Sequence, residues 1–465
     1  MLDLLIRGGT VVTPSGVGQW DVAVQGEQIV AVGAPESMPT EAARVLDATG
    51  RVVIPGGVEP HAHVSFPVPT QPPTETASPP EVTRAAVFGG TTTVVDFAEQ
   101  MPGSDIFQAI EDKNARWQGN AYTDYSYHCM LRGELPYGEL PLSVIAQVKD
   151  AIAQGFPSFK VFTTFVRPRS NRPYMVDLGS ILAVMEQVAA HGGIMAVHAE
   201  DDDIVQFMYR KLMAEGKREW YHLHLVHNNL SEELSFRRVI RLAERTGAAV
   251  YFVHVSAREG VQAIAEARGR GLPIYGETLH NYLAFTAEDY KRGPDGMKYH
   301  TYPSLKSKKD QDALWEGISQ GQLSTLATDE YTTSYEIKTR GKSLPEVTGG
   351  HNGIETRVGI LYTEGVVKRG MSLQRFAELV ATSPARILGL YPRKGVIAPG
   401  SDADLTLIDP TIHKQLSLED LHHSDYSIWE GWEVWGWPVT TILRGQVVVQ
   451  DGQLLAQPRP GRGQL

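Results

Sequence analysis

The chain has 465 residues, of which 42% are hydrophobic and 21% charged, as in a globular protein larger than one ordinary domain. Its net charge of −11 argues against a nucleic-acid-binding protein, because such proteins carry an excess of basic residues. Cys129 is the only cysteine, which excludes an internal disulfide and suits a reducing cytoplasm. Without a basic and apolar leader or an apolar run of membrane-spanning length, we expect a cytoplasmic protein with no membrane partner.

Short β segments separated by turns occupy both ends of the chain. Near the beginning they are residues 4–6, 10–12, 22–24 and 29–32, and near the end residues 403–410 and 439–449. We therefore expect residues 1–55 and 395–465 to form one small β-sandwich domain. The middle of the chain, residues 56–394, is inserted between its two halves.

Strand-like and helix-like segments alternate through this middle part. The predicted strands are residues 51–55, 91–97, 125–131, 158–162, 194–198, 249–255, 273–276 and 324–328. The predicted helices are residues 80–88, 106–117, 142–153, 178–190, 201–245, 260–268, 310–318, 353–367 and 373–388. Eight strand-then-helix units predict an α/β fold, a closed (β/α)8 TIM barrel. Active sites of that fold lie at the carboxyl ends of the strands.

Two histidines, His61 and His63, stand at the end of the apolar strand predicted at residues 51–55. Side chains at i and i+2 of an extended chain share one face, so both imidazoles point the same way, as a metal such as zinc requires. The pair alone is a weak signal, because 15 histidines produce about half such a pair by chance. Its position at a strand end makes it a candidate metal site.

Four more candidate ligands lie at or near other predicted strand ends, namely Lys160, His198, His254 and Asp329. Each has an ordinary structural alternative. A buried histidine is usually hydrogen-bonded within the core, an aspartate after a strand often caps a helix, and a lysine usually lies at the surface. The joint pattern is much harder to explain by chance, so it favours a single site at one end of the barrel.

The chain resembles the amidohydrolase superfamily in the order and spacing of these candidate ligands. Within it, the chain is most similar to the cyclic amidases, which include dihydropyrimidinases, hydantoinases and allantoinases. The resemblance covers nearly the whole chain. It rests on His61, His63, Lys160, His198, His254 and Asp329, and on residues 89–92, 158–162, 197–200, 253–256, 275–278, 388–395 and 400–405.

This resemblance implies two divalent metal ions, which we expect to be zinc. One would be held by His61, His63 and Asp329, and the other by the remaining two histidines of the set. Lys160 would bridge them as a carboxylated (carbamate) lysine, because an ammonium group has no lone pair for a metal. Water activated by the metals would attack the amide carbon, and Asp329 would move the proton to the leaving nitrogen. Relatives of this kind are commonly homotetramers, so we expect the same here.

The predicted substrate contacts depart from the family pattern. Phe165 stands where these enzymes have a tyrosine that stabilises the oxyanion. Tyr302 replaces a serine that contacts substrate, and Gly349 replaces an asparagine. We expect Phe165 to make one wall apolar, Tyr302 to add bulk, and Gly349 to open space on the opposite side.

Three functions remain in competition. The first is a binuclear metal-dependent hydrolase that opens a C–N bond in a cyclic amide, imide or ureide, with an altered substrate pocket. The second is a non-catalytic scaffold like the collapsin response mediators, which have lost ligands that this chain retains. The third is a mononuclear deaminase of the same superfamily, and Lys160 argues against it because those enzymes lack the bridging lysine.

Overall fold

The computed structural model of the protein describes residues 1–70, 72–168 and 175–458. The strands in these residues form a parallel barrel, a mixed sheet and a short hairpin. In chain order they are β1 (Leu2–Thr13), β2 (Gly16–Gln25), β3 (Gln28–Gly33), β4 (Ala42–Asp47), β5 (Val52–Pro55), β6 (Gly57–Glu59), β7 (Pro67–Val68), β8 (Thr74–Glu75), β9 (Thr91–Gln100), β10 (Asp124–Leu131), β11 (Ser158–Phe162), β12 (Ile194–His198), β13 (Ala249–Phe252), β14 (Ile274–Leu279), β15 (Thr325–Ala327), β16 (Leu405–Gln415), β17 (Glu433–Leu443), β18 (Gln446–Gln450) and β19 (Gln453–Leu454).

The α-helices of the same residues lie mostly between the barrel strands. They are α1 (Pro79–Phe88), α2 (Ile106–Trp117), α3 (Leu142–Ala153), α4 (Leu178–His191), α5 (Asp202–Ala214), α6 (Leu223–Val226), α7 (Asn229–Thr246), α8 (Arg258–Gly269), α9 (His280–Ala284), α10 (Lys308–Ser319), α11 (Tyr335–Arg340), α12 (Arg357–Leu361), α13 (Leu373–Ala377) and α14 (Ser383–Ile387). Within the described ranges, no helix combines the length and the apolar character needed to cross a membrane.

The barrel consists of eight parallel strands in the order β6, β9, β10, β11, β12, β13, β14 and β15. The first and last strands meet just beyond their ends, where Ala62 and Glu330 form a parallel bridge. The backbone N–H of Glu330 donates to the His61 carbonyl at 3.1 Å, and that of His63 donates to the Glu330 carbonyl at 2.7 Å. These bonds close the ring beside the candidate ligands.

The mixed sheet contains nine strands from both ends of the chain, in the order β19, β18, β17, β16, β5, β1, β2 and β3, with β4 beside β1. Val11, Val53, Leu405 and Ile442 belong to its buried core. The predicted fold class, a TIM barrel with a small β-sandwich domain from both ends, is confirmed. The exact domain limits stay a prediction, and residues 459–465 lie outside the described part of the chain.

One predicted strand belongs to the other sheet. Residues 52–55 form β5, which pairs with β1 and β16, so the barrel begins at β6 instead. An apolar run predicts burial on both faces but does not tell which sheet a strand joins. The chain passes between the sheets at Gly56, where a Cβ would overlap the side chain of Thr92. A larger residue at this position would displace the Thr92 side chain or shift the chain where it enters the barrel.

The predicted helical region at residues 201–245 is interrupted. Helix α5 ends at Ala214, and α7 begins after Asn228, whose side chain accepts a hydrogen bond from the Ser231 N–H at 3.0 Å. Gly247 ends α7 with a φ of 76°, a left-handed conformation that favours glycine. The capping residue Asn228 and the helix-ending Gly247 therefore mark the start and the end of α7, which apolar periodicity alone does not locate.

Candidate active site

A cavity of about 580 Å³ opens at the carboxyl ends of the barrel strands. All the site residues expected from the sequence line it. They are His61, His63, Lys160, Phe165, His198, His254, Tyr302, Asp329 and Gly349. The barrel therefore brings together side chains that are separated by more than two hundred residues in the sequence.

His61, His63 and Asp329 form one group. Oδ1 of Asp329 lies 3.1 Å from Nε2 of each histidine, and all three side chains are buried. Asp329 adopts a φ of 51°, which is strained for a residue other than glycine and is typical of functional sites. The geometry allows these three residues to hold one divalent ion, since imidazole nitrogen and carboxylate oxygen are common zinc ligands.

The charges of this group are strongly coupled. Burial opposes ionisation of Asp329, but the two histidines outweigh it and hold the pKa of the carboxyl group well below its usual range. Burial also disfavours the charged form of His61, yet the carboxylates of Asp329 and Glu277 raise its pKa to about 9. Burial dominates at His63 and lowers its pKa to about 4. The group thus keeps an ionised carboxylate in a place with little solvent.

His198, the last residue of β12, and His254, two residues beyond the end of β13, form the second group. Nδ1 of His198 lies 3.0 Å from Nε2 of His254. Burial lowers the pKa of both imidazoles, which favours the neutral form that donates a lone pair to a metal. His254 has a φ of 41° and lies beyond the end of β13, so the predicted strand at residues 249–255 is too long.

Lys160 lies within β11 and is completely buried. Its Nζ has no hydrogen-bond partner among the described residues, and it lies 4.9 Å from the ring centre of Phe162 and 5.4 Å from that of Phe97. Burial lowers the pKa of this amine to about 8, although nearby Asp329 and Glu277 act in the opposite direction. An unpaired buried amine is costly, and conversion to a bridging carbamate would remove that cost.

Glu277 lies within residues 275–278, which carry part of the resemblance, but no sequence pattern assigns it a role of its own. One carboxylate oxygen accepts hydrogen bonds from the His254 N–H at 3.0 Å and lies 2.8 Å from Nδ1 of His61. The other accepts from the Tyr251 hydroxyl at 2.6 Å. A carboxylate behind a metal-binding histidine fixes its ring and tautomer. Glu277 therefore turns Nε2 of His61 toward Asp329.

A second carboxylate, Glu200, holds the other group. One of its oxygens lies 2.8 Å from Nε2 of His198, and its two oxygens lie 2.9 and 3.0 Å from Nδ1 of His227. Burial disfavours its charge, but the two histidines lower the pKa of the carboxyl group well below its usual range. With Nε2 of His198 occupied in this way, Nδ1 is the ring nitrogen that lies next to His254. Sequence reasoning missed His227, which follows a helix and has no strand-end position.

The predicted substrate wall has a different arrangement from the one expected. Phe165 is buried, and its N–H donates to Asp202 at 3.0 Å. Tyr302 lies against Gly349, where a Cβ would overlap the tyrosine ring. The expectation that Gly349 opens space opposite Tyr302 is therefore wrong, because the larger residue fills the space that the smaller one leaves. Two substitutions that look independent in the sequence form one compensating pair.

Comparisons with known proteins agree with this geometry. The model of the amidohydrolase family matches residues 52–448. A D-hydantoinase from Geobacillus stearothermophilus is 34% identical over 469 residues, covering 99% of this chain and 95% of the relative. A D-phenylhydantoinase from Escherichia coli O1:K1 / APEC is 30% identical over 464 residues, covering 99% and 97%. A crystal structure of dihydropyrimidinase from Brevibacillus agri NCHU1002 matches with a TM-score of 0.91 and 33% identity, covering 100% of this chain and 98% of that one.

A cavity at the carboxyl end of a (β/α)8 barrel, lined by imidazole and carboxylate groups, defines a barrel enzyme with the ligands for divalent metals. The matches give the particular family. The chain belongs to the amidohydrolase family and, within it, to the cyclic amidase subgroup.

Proposed function

We propose that the protein is a binuclear metal-dependent hydrolase that opens the C–N bond of a cyclic amide, imide or ureide. The observation that carries this proposal is the convergence of His61, His63, Lys160, His198, His254 and Asp329 on one cavity. The full set argues against a non-catalytic scaffold, and the buried position of Lys160 argues against a mononuclear deaminase. The names of the relatives, D-hydantoinase, D-phenylhydantoinase and dihydropyrimidinase, support the same substrate class.

The donor set fits two divalent ions, which we propose to be zinc. His61, His63 and Asp329 would hold one ion, His198 and His254 the other, and Lys160 would bridge them as a carbamate. When bound, the ions polarise the substrate carbonyl and make water a stronger acid, so that a nucleophile is available near neutral pH. The low pKa of Asp329 keeps this carboxylate ionised and ready to accept a proton.

Asp329 would carry the proton through the reaction. It accepts a proton from the attacking water as a general base and then donates it to the ring nitrogen that leaves. Its contacts with the two histidines hold the carboxylate in place, and its strained φ aims it into the cavity. Glu277 and Glu200 keep His61 and His198 oriented and touch no substrate, so we class them as positioning residues.

Metal content tests this function. We expect close to two divalent ions per chain in protein purified without chelator, because the cavity offers two separate groups of donors. Elemental analysis of the purified protein measures the ratio, and treatment with a chelator should remove the hydrolytic activity. No bound metal, together with hydrolysis that chelators leave unaffected, would contradict the proposal.

Phe165 and Tyr302 are proposed to alter substrate choice. Phe165 cannot donate a hydrogen bond to the developing oxyanion, and loss of one such donor typically costs about a hundredfold or more in turnover. We therefore expect weak activity on dihydrouracil and unsubstituted hydantoin, and better activity on rings with larger substituents, aromatic ones included.

Phe165→Tyr should raise kcat/KM for dihydrouracil, by restoring a hydroxyl at the cavity wall. A panel of cyclic amides, compared in the native protein and the variant, measures the effect. If dihydrouracil proves the best substrate of the native protein, the pocket is not altered in the proposed way.

A homotetramer in the cytoplasm completes the proposal. Trp435 is 38% exposed and Trp432 half-buried, whereas Trp429 and Trp437 pack in the core. Two of these tryptophans therefore belong to the core, whereas Trp435, whose ring stacks on that of His413, keeps part of its surface exposed for a subunit contact. Tryptophan is enriched at such contacts.

A further inference from the structure

Within the described part of the cavity wall, one charged side chain is not used by the metal groups. Among the described lining residues, Lys160, Asp329 and the histidines belong to the candidate metal centre, and Arg167 is the remaining ionisable side chain other than tyrosine. The rest of the wall is largely apolar or aromatic, with Phe66, Phe165 and Tyr331 among its members. A guanidinium in an apolar wall has a strong preference for an anionic group, because local dielectric screening is weak there.

Contacts on two sides fix the position of this guanidinium. Nη2 of Arg167 donates to the Val347 carbonyl at 2.7 Å, and the Tyr302 hydroxyl donates to the same oxygen at 3.0 Å. The guanidinium carbon lies 5.8 Å from the centre of the Tyr302 ring. Arg167 therefore contacts the wall that carries Tyr302 and Gly349, and these contacts restrain the position of its guanidinium.

The backbone directly before Arg167 has a strained conformation. Val166 has a φ of 61°, a left-handed conformation that is rare for a β-branched residue. The Tyr209 hydroxyl donates to the Val166 carbonyl at 3.2 Å, and Nε2 of Gln206 donates to the Arg167 carbonyl at 2.9 Å. Strain of this kind persists where surrounding contacts enforce it, and it is concentrated at ligand sites.

The net negative charge of the chain strengthens the argument that Arg167 serves an anionic ligand. A protein with a net charge of −11 repels anions on average, so an anionic ligand needs a positive group at the site itself. The candidate metal ligands are the histidines, Lys160 and Asp329, whereas Arg167 lies in the wall with Phe165 and Tyr302. A cavity of about 580 Å³ has room for a small ring and a substituent that reaches this wall.

We propose that the preferred substrates are cyclic amides whose ring substituent ends in a carboxylate, and that the guanidinium of Arg167 binds this carboxylate. Arginine suits this role because a planar guanidinium can donate two parallel N–H bonds to the two oxygens of a carboxylate. The inference rests on the proposed hydrolase function and adds to it the charge of the substituent. No bond is made or broken at Arg167, which acts in recognition alone.

The test compares two hydantoins of nearly equal shape, 5-(2-carboxyethyl)hydantoin and 5-(2-carbamoylethyl)hydantoin, on the metal-loaded protein. We expect kcat/KM to be about tenfold to a hundredfold higher for the carboxylate, mainly through a lower KM, since a charge-assisted contact has about this effect. Arg167→Gln should reduce the ratio of kcat/KM values, carboxylate over carboxamide, by the same factor. Arg167→Lys should keep part of the preference for the carboxylate. Added salt should lower the ratio in the native protein.

Arg241→Gln is the matched control, because Arg241 is an exposed arginine on α7 that pairs with Glu244 away from the cavity. It should leave the ratio unchanged. Equal kcat/KM for the two hydantoins in the native protein, or an unchanged ratio in Arg167→Gln, overturns the inference. If neither these two compounds nor any member of the panel of cyclic amides is hydrolysed, the proposed function is wrong. Calorimetric affinities of the two compounds then decide the role of Arg167, with equal affinities in the native protein counting against it.

Discussion

Lys160→Ala should lose bound metal and at least about a hundredfold in kcat, since even partners behind a metal ligand typically contribute ten- to a hundredfold. The reason is the position of Lys160, which is fully buried and lines the same cavity as the two histidine groups, and whose amine has no hydrogen-bond partner in the described part of the chain. Removing the bridge leaves two sets of ligands that must each bind an ion alone. Elemental analysis and kcat on a cyclic amide measure the two losses together.

A second measurement separates the bridge from simple packing. Alanine at position 160 leaves a space that a short carboxylic acid, such as propionate, can enter, so added acid should restore part of the activity. Lys160→Met is the matched control, because methionine fills much of this space and has no amine. It should remain inactive with or without the acid. Full activity of Lys160→Ala would show that the lysine does not serve the metals.

The positions of the candidate ligands were predictable because the barrel follows a simple rule. Parallel strands place their carboxyl ends at one face, so residues at successive strand ends must meet there, whatever their separation in the sequence. His198, the last residue of β12, follows from this rule directly, and Lys160 lies two residues before the end of β11. His61 follows it as well, although the strand before it is β6 and not the apolar run at residues 52–55.

Contacts that depend on side-chain packing were not predictable in the same way. Glu277 meets His61 across 216 residues, and no periodic pattern relates the two. The pairing of Tyr302 with Gly349 depends on the contact between two segments outside the helices and strands, which strand and helix signals do not specify. A glutamate following a strand-end histidine, as Glu200 follows His198, is the one local signal that could have indicated a supporting carboxylate.

The backbone strain at the site also depends on contacts between residues that are distant in the sequence. His254 and Asp329 both adopt positive φ values just beyond the ends of their strands, where an ordinary residue would continue in an extended conformation. Tertiary contacts offset the energetic cost of these positive φ values. One of them is the hydrogen bond that the His254 N–H donates to the Glu277 carboxylate. The sequence marks these positions only by their residue types, because conformations imposed by distant parts of the chain leave no local pattern.

Asp329→Asn should reduce kcat by about a thousandfold, since general acid–base groups typically contribute a hundredfold to ten-thousandfold. Asparagine has nearly the same shape and keeps an oxygen for the metal, but its amide does not accept the proton that hydrolysis releases. The low pKa of Asp329 indicates that the native side chain is ionised across the usual pH range. We expect at least one ion per chain to remain bound while turnover is lost, as measured by elemental analysis and steady-state kinetics on the same sample.

Asp310→Asn provides the control for loss of a buried carboxylate. Asp310 is 2% exposed, accepts a hydrogen bond from the Arg258 N–H at 3.2 Å, and lies at the start of α10 rather than in the cavity wall. Its replacement should lower Tm while leaving kcat within a few-fold of the native value. If Asp329→Asn keeps more than a tenth of the native kcat, the proton must move through another group. Because Asp329 is the carboxylate that lines the cavity beside His61 and His63, that result would require a different reaction scheme at this site.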